Sequence, residues 1–192
     1  MATESPSPDV RILSRTSIGF AGESQGLERF FRLEHWRVKV GEREDDRIIW
    51  KRGDFVFVVA VTDDRKIVLN REYKQAVEQT LLCLPAGGKK DNESPQAVAL
   101  RELREESGYA STEDHCHVFG PFFNSPDKST ERHYVVVVLG AVSKGSPTPE
   151  ESETILGVQL CDADSAKEKL SIGMHRMAMD VANEFLAKRG GM

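Results

Sequence analysis

The sequence predicts an α/β fold in which a mixed sheet is layered between helices, and three observations carry that prediction. Two runs, 55–61 (FVFVVAV) and 133–142 (HYVVVVLGAV), are almost continuously apolar and rich in β-branched residues, which suits strands buried on both faces. A helix lies between them in sequence, opened by Ser94-Pro95 as N-cap and first helical residue and closed at Gly108. Two further helical stretches, 164–170 and 174–188, end the chain. The second carries Met174, Met177, Ala178, Val181, Phe185 and Leu186 on one apolar stripe. Strands interrupted by one helix and followed by others suit a sheet covered on both faces.

Residues 1–25 are rich in Ser, Pro, Gly and Thr with little periodicity, and read as a tail or arm that stays partly disordered unless something pins it. Residues 26–192 read as one domain. The pattern alternates over 29–40, with Phe31, Leu33, His35 and Arg37 on one side and Trp36, Val38 and Val40 on the other, as in a strand. A charged turn over 41–46 then lets 47–50 return as the second arm of an N-terminal β-hairpin. The buried strand 55–61 is followed by a turn at Asp63-Asp64, a strand over 66–73 and another over 80–84 that leads into Pro85-Ala86-Gly87. Beyond the inserted helix come a strand at 118–123, a polar loop at 124–132, the buried strand 133–142, a Ser-, Pro- and Glu-rich loop at 143–152 and a last strand at 154–160.

Composition narrows the function classes. A chain of 192 residues with a net charge of −5 is not built to coat nucleic acid, although local arginines and a metal ion would still receive a small anion. Cys83, Cys116 and Cys161 are scattered and odd in number, so they form neither a disulfide framework nor a zinc site. No signal-peptide core follows Met1 and no apolar run approaches a membrane span, so the expected location is the cytoplasm.

The inserted helix holds the chemistry. At 100° per residue, Glu102, Glu105 and Glu106 fall within one arc of about 100°, flanked by Val98 and Ala99. Like charges three and four residues apart destabilise a helix by a few tenths of a kcal/mol per pair, roughly. Arg101 can pair with Glu105, but one arginine does not neutralise three acids. A solvated acidic face is the ordinary alternative; a hard divalent cation is the other resolution, because Mg²⁺ and Mn²⁺ prefer clustered carboxylate oxygens.

The wider spacing decides between them. Gly87, then Glu93, then Arg101-Glu102-Leu103-Arg104-Glu105-Glu106-Ser107-Gly108-Tyr109 resembles the Nudix hydrolase box without a gap, with Tyr109 where an aliphatic residue is commoner. The resemblance covers roughly 29–188 and implies the α/β/α sandwich. It also implies Mg²⁺ (Mn²⁺ as a substitute) bound by Glu102, Glu105 and Glu106 with the Ala86 carbonyl completing the shell, while Gly87, Glu93, Arg101 and Gly108 brace the box.

Three further stretches resemble the ADP-ribose pyrophosphatases and related nucleotide-sugar hydrolases of that family. Arg71-Glu72-Tyr73-Lys74 followed by Leu84-Pro85-Ala86-Gly87 is similar to their lead-in, which implies that Arg71 holds a diphosphate; its planar guanidinium fork suits phosphate oxygens. The loop Asn124 to Glu131 resembles their proline loop, placing Pro126 and Glu131 at the substrate, although Asp127 and Lys128 depart from the usual glycine and apolar residue. In Glu150-Glu151-Ser152-Glu153 the resemblance puts the water-activating base on Glu151 and a metal ligand on Glu153. Trp50 and Trp36 can stack a base, with core or dimer packing as the alternative. The implied reaction is hydrolysis of a nucleoside diphosphate-sugar, ADP-ribose first, giving AMP and ribose 5-phosphate. GDP-mannose or another such diphosphate is the alternative within enzymes, and a non-catalytic ligand-sensing module the alternative outside them. Related ADP-ribose hydrolases pack their N-terminal strands between subunits, so a homodimer is expected.

Overall fold

A computed structural model describes residues 9–19, 32–90, 92–151 and 153–190. They fall into two compact units, Met1–Gly53 with Phe123–Glu131, and Asp54–Phe122 with Arg132–Met192.

The first unit is a three-stranded antiparallel sheet in the order β1 (Val10–Ile18), β2 (Arg32–Val40) and β3 (Arg43–Lys51). The stretch read as a tail therefore contains a strand, pinned by pairing with β2 from Val10↔Val40 to Ile18↔Leu33. The expected charged turn at 41–46 is shorter than its composition suggested. Gly41 (φ 60°) and Glu42 turn the chain, and 43–46 are already strand. Their charges face solvent and find partners on the sheet: Asp46 accepts from His35 at 2.9 Å, and Asp45 meets Arg43 and Arg47 at 2.7 and 2.9 Å. An antiparallel sheet with one wet face tolerates such residues, so charge alone does not mark a turn. The returning segment joins this unit through Trp50, whose N–H donates to the Lys128 carbonyl at 2.7 Å.

The second unit holds the core. A mixed sheet in the order β7 (Ala86–Gly88), β4 (Phe55–Ala60), β10 (His133–Val138) and β9 (Cys116–Phe122) has β4 and β10 parallel at its centre. An antiparallel sheet, β12 (Ile155–Cys161), β5 (Ile67–Lys74) and β6 (Gln79–Cys83), accompanies it. Helix α1 (Pro95–Ser107) packs Val98, Ala99 and Leu103 on Val56, Val58, Val68, Val136 and Val138. Helices α2 (Ala163–Lys169) and α3 (Gly173–Lys188) cover the alternate residues Phe57, Val59, Ile67, Leu69, Val135 and Val137 with Ala166, Ala178, Met179 and Ala182. With a side-chain period of two, a strand covered on both faces must be apolar at every position, which is why β4 and β10 read as unbroken runs. This is the expected α/β/α sandwich. The run 133–142 is not one strand, however. β10 stops at Val138, Gly140 takes φ 61°, and Val142–Ser143 forms a separate short strand, β11, paired with β8 (Tyr109–Ala110).

Candidate active site

Helix α1 is closed at both ends by local chemistry. The Ser94 hydroxyl accepts from the Ala97 N–H at 3.1 Å, Pro95 starts the helix, and Gly108 ends it at φ 72° with its N–H on the Arg104 carbonyl. Gly108 is doubly constrained, because a Cβ there would lie 2.1 Å from the Gly145 carbonyl oxygen of the following loop. Glu102 and Glu106 point into the protein and are 5% and 4% exposed.

Across from them runs β7. A Cβ on Gly87 would fall 1.7 Å from Glu102 Oε1, so any other residue here would have to displace the helix carboxylate from its present position. The neighbouring Ala86 N–H donates to Glu106 Oε2 at 3.0 Å, and the same oxygen accepts from Asn70 Nδ2 of β5 at 2.8 Å. Arg101 spreads its guanidinium over Glu93 (3.1 and 3.2 Å), Glu102 (2.7 Å), Glu105 (3.2 Å) and the Gly88 carbonyl (3.1 Å), tying the loop before the helix to its first turns. These contacts hold the Glu93 carboxyl below its ordinary range, the Arg101 hydrogen bond being the leading cause.

Glu102, Glu106 and Glu153 can bring one oxygen each within 4.8 Å of one another. They line a cleft of about 510 Å³ whose wall also carries Glu72, Lys74, Lys89, Lys90 and Glu150. Burial, then the Glu153 charge, pushes the Glu106 carboxyl up to about 9, and burial likewise raises Glu102 and Glu153. A carboxylate forced toward its neutral form by burial and by like neighbours lacks a cation. Arg101 serves Glu102, but no Lys or Arg among the described residues pairs with Glu106 or Glu153. The donor set, all carboxylate oxygen, suits a hard divalent ion. A bound ion would neutralise developing negative charge on a diphosphate and lower the pKa of a coordinated water.

The NUDIX domain family profile matches residues 51–181, which span this cleft. The chain belongs to the Nudix family. An ADP-ribose pyrophosphatase from Bacillus subtilis (strain 168) is 42% identical over 65 residues, 34% of this chain and 35% of that protein. A methanol dehydrogenase activator from Bacillus methanolicus is 34% identical over 98 residues, 51% of this chain and 52% of that protein. The chain thus matches about a third and about half of the lengths of these curated relatives. The solved structure of an ADP compounds hydrolase aligns with a TM-score of 0.77 at 18% identity, over 95% of this chain and 97% of that one, and so shares the fold.

Within the Nudix box the structure redistributes the acids. The tight cluster takes Glu153 from the loop before β12 in place of Glu105, because Arg101, one helical turn earlier, draws the Glu105 carboxylate to itself. In the loop both Glu150 and Glu151 are exposed, but Glu150 lines the cleft and Glu151 does not. The Glu150 N–H donates to the Glu153 carboxylate at 3.1 Å and the Glu153 N–H to the Glu150 carbonyl at 3.0 Å, so the segment closes as a turn. Arg71 is exposed and outside the cleft; on β5 the cleft face belongs to Asn70, Glu72 and Lys74 by strand alternation, with Lys74 Nζ 2.6 Å from Glu72. Sequence reading passed over Asn70, although one polar residue closing the apolar run IVLN was its signal.

The remaining expected substrate residues lie in the first unit. Trp50, 42% exposed, lines a small hollow of about 60 Å³ with Arg52, Asn124, Ser125, Ser129 and Glu131. Arg52 Nε stands 3.3 Å from Glu131. Pro126 sits exposed in the turn closed by Ser129 N–H on the Ser125 carbonyl. Trp36 is half-buried instead, its indole N–H on Glu34 at 2.7 Å and Arg15 over its ring at 4.4 Å.

Proposed function

We propose that this protein is a divalent-cation-dependent pyrophosphohydrolase, using Mg²⁺ with Mn²⁺ as a substitute, that cleaves the diphosphate of a nucleoside diphosphate-sugar, ADP-ribose first. The observation that carries this reading is the triad of buried Glu102 and Glu106 with half-buried Glu153 in a cleft that lysines also line. Glu106 and Glu153 have no Lys or Arg partner among the described residues, which suits a bound cation, and Lys74, Lys89 and Lys90 add positive charge for a substrate bearing two phosphates. The names of the Bacillus subtilis relative and of the structural neighbour support the substrate class. Water adds to one phosphorus, the bridging P–O bond breaks, and the two monophosphates leave as AMP and ribose 5-phosphate. Arg71, Trp50, Pro126 and Glu131 are proposed to contact the substrate, Trp50 by stacking on the base. Glu105 and the Ala86 carbonyl are proposed as further cation ligands.

A panel of ADP-ribose, GDP-mannose and other nucleoside diphosphate compounds, with products resolved by mass spectrometry, tests the reading. AMP and ribose 5-phosphate formed fastest and only with Mg²⁺ or Mn²⁺ is the expected result; no turnover of any compound refutes it.

We further propose that the chain is a homodimer. Val10, Ile12, Leu13 and Ile48 are exposed on the three-stranded sheet, a surface suited to a partner copy. Light scattering at micromolar concentration should give about twice the chain mass; a mass near 21.4 kDa refutes the dimer.

A further inference from the structure

β5 begins with four residues at 0% exposure, Ile67, Val68, Leu69 and Asn70. Asn70 is held in register on both sides, opposite Cys83 of β6 and Val158 of β12, so its backbone has little freedom. Its amide nitrogen donates to Glu106 Oε2, which also receives the Ala86 N–H. Its own side-chain carbonyl oxygen is buried and has no hydrogen-bond partner among the described residues. No donor among the described residues reaches Glu106 Oε1.

We propose that Asn70, which lies outside the box, is a positioning residue that occupies Oε2 of Glu106 and so leaves Oε1 as the oxygen available to a cation. The inference rests on the reading of the acid cluster as a metal site. The torsion that turns a carboxylate about its last carbon–carbon bond is broad, so one donor from a loop-like strand does not fix it. Two donors on one oxygen, one from the short β7 and one from the middle of a packed sheet, do. A neutral amide is suited to this task because it orients the carboxylate without supplying a charge that would compete with the cation, as lysine would. Packing alone does not account for the residue. Leucine has the same branched shape and number of side-chain heavy atoms, though more volume, and valine is smaller; either would occupy a fully buried strand position without an unpaired acceptor, whose desolvation opposes folding.

The test measures Mn²⁺ binding by electron paramagnetic resonance without substrate, together with metal-free thermal unfolding. The proteins compared are the wild type, Asn70→Leu, Asn70→Val and Glu106→Gln. Groups that orient metal ligands typically change affinity by about 10–100-fold when removed, and that loss is expected for both Asn70 variants. Their Tm should be no lower than that of the wild type. In turnover, excess Mg²⁺ should restore much of the lost rate while KM at saturating metal stays unchanged. Asn70→Val, smaller than leucine, carries the test if the leucine overpacks. Folded variants that bind Mn²⁺ as tightly as wild type overturn the proposal, as does failure of both to fold, since the role is then structural. If the wild type binds no Mn²⁺, or Glu106→Gln binds it equally well, the metal-site reading itself has failed. If only Glu106→Gln is weakened, that reading stands and the role of Asn70 is refuted.

Discussion

Glu106→Gln should lower turnover by about 10²–10³-fold, the range found when one preorganised charge contact to a transition state is removed, while leaving the fold intact. Glutamine keeps the shape and can still accept from Asn70 and Ala86, so the change isolates one negative charge at the centre of the cluster. The same substitution should stabilise the metal-free protein. The wild-type carboxyl is raised from its ordinary 4.5 to about 9, burial being the main cause. Between those values the unfolded chain has released a proton that the folded chain still holds, so folding stability falls as pH rises through that window. Metal-free wild type should therefore lose Tm relative to Glu106→Gln between pH 5 and pH 8. Mg²⁺ should raise the wild-type Tm more at the higher pH, since it binds the ionised form. A variant with near-wild-type turnover at saturating Mg²⁺, or equal Mg²⁺ effects on Tm at both pH values, refutes the assignment.

What was legible in the sequence follows the range of the forces involved. Helix α1 could be bounded from Ser94, Pro95 and Gly108 because caps act within a few residues. The centre of the sheet was legible because burial on both faces demands apolar residues at every position of β4 and β10. The box was legible because Gly87, Arg101, Glu102 and Glu106 sit at fixed offsets set by one loop and one helix, and the structure gives each the contact its residue type requires.

Contacts set by tertiary packing were legible only in part. The resemblance put a metal ligand on Glu153, but that Glu153 and not Glu105 completes the tight cluster with Glu102 and Glu106 depends on how the loop before β12 lies beside α1. That is fixed by hydrogen bonds such as Lys144 N–H to the Gly108 carbonyl and Thr148 N–H to the Glu105 carbonyl, distant in sequence. The helical wheel placed Glu105 with its neighbours, and the expected Arg101–Glu105 pair forms at 3.2 Å, so the guanidinium competes with the cluster for that carboxylate. β1 went unseen because it is exposed along almost its whole length, and a strand without a buried face has no hydrophobic alternation to read. On β5 the cleft-lining Glu72 and Lys74 were not singled out, because their placement follows from strand alternation rather than from the motif.

The same loop geometry bears on the water-activating base. A carboxylate bound to a cation has its lone pairs engaged and its pKa lowered, so the clustered acids are poor proton acceptors. The base is therefore proposed to belong to the turn Glu150 to Glu153. The sequence register puts it on Glu151, but the cleft is lined by Glu150, whose carboxylate is 3.7 Å from Lys90. Reach to the attacking water comes before pKa in choosing a base, which favours Glu150. Glu150→Gln should cut kcat by about 10²–10⁴-fold, the usual worth of general base catalysis, with little change in the Mg²⁺ requirement. Glu153→Gln should instead raise the Mg²⁺ concentration needed for half-maximal rate, and Glu151→Gln should stay within a few-fold of wild type, roughly, as an exposed side chain off the cleft. Loss of turnover in Glu151→Gln with Glu150→Gln active would mean that the loop rearranges over the substrate and that the sequence register was right. If Glu150→Gln and Glu151→Gln both turn over normally while Glu105→Gln abolishes the reaction, the base lies on α1, on the one glutamate of that helix that the acid cluster leaves out.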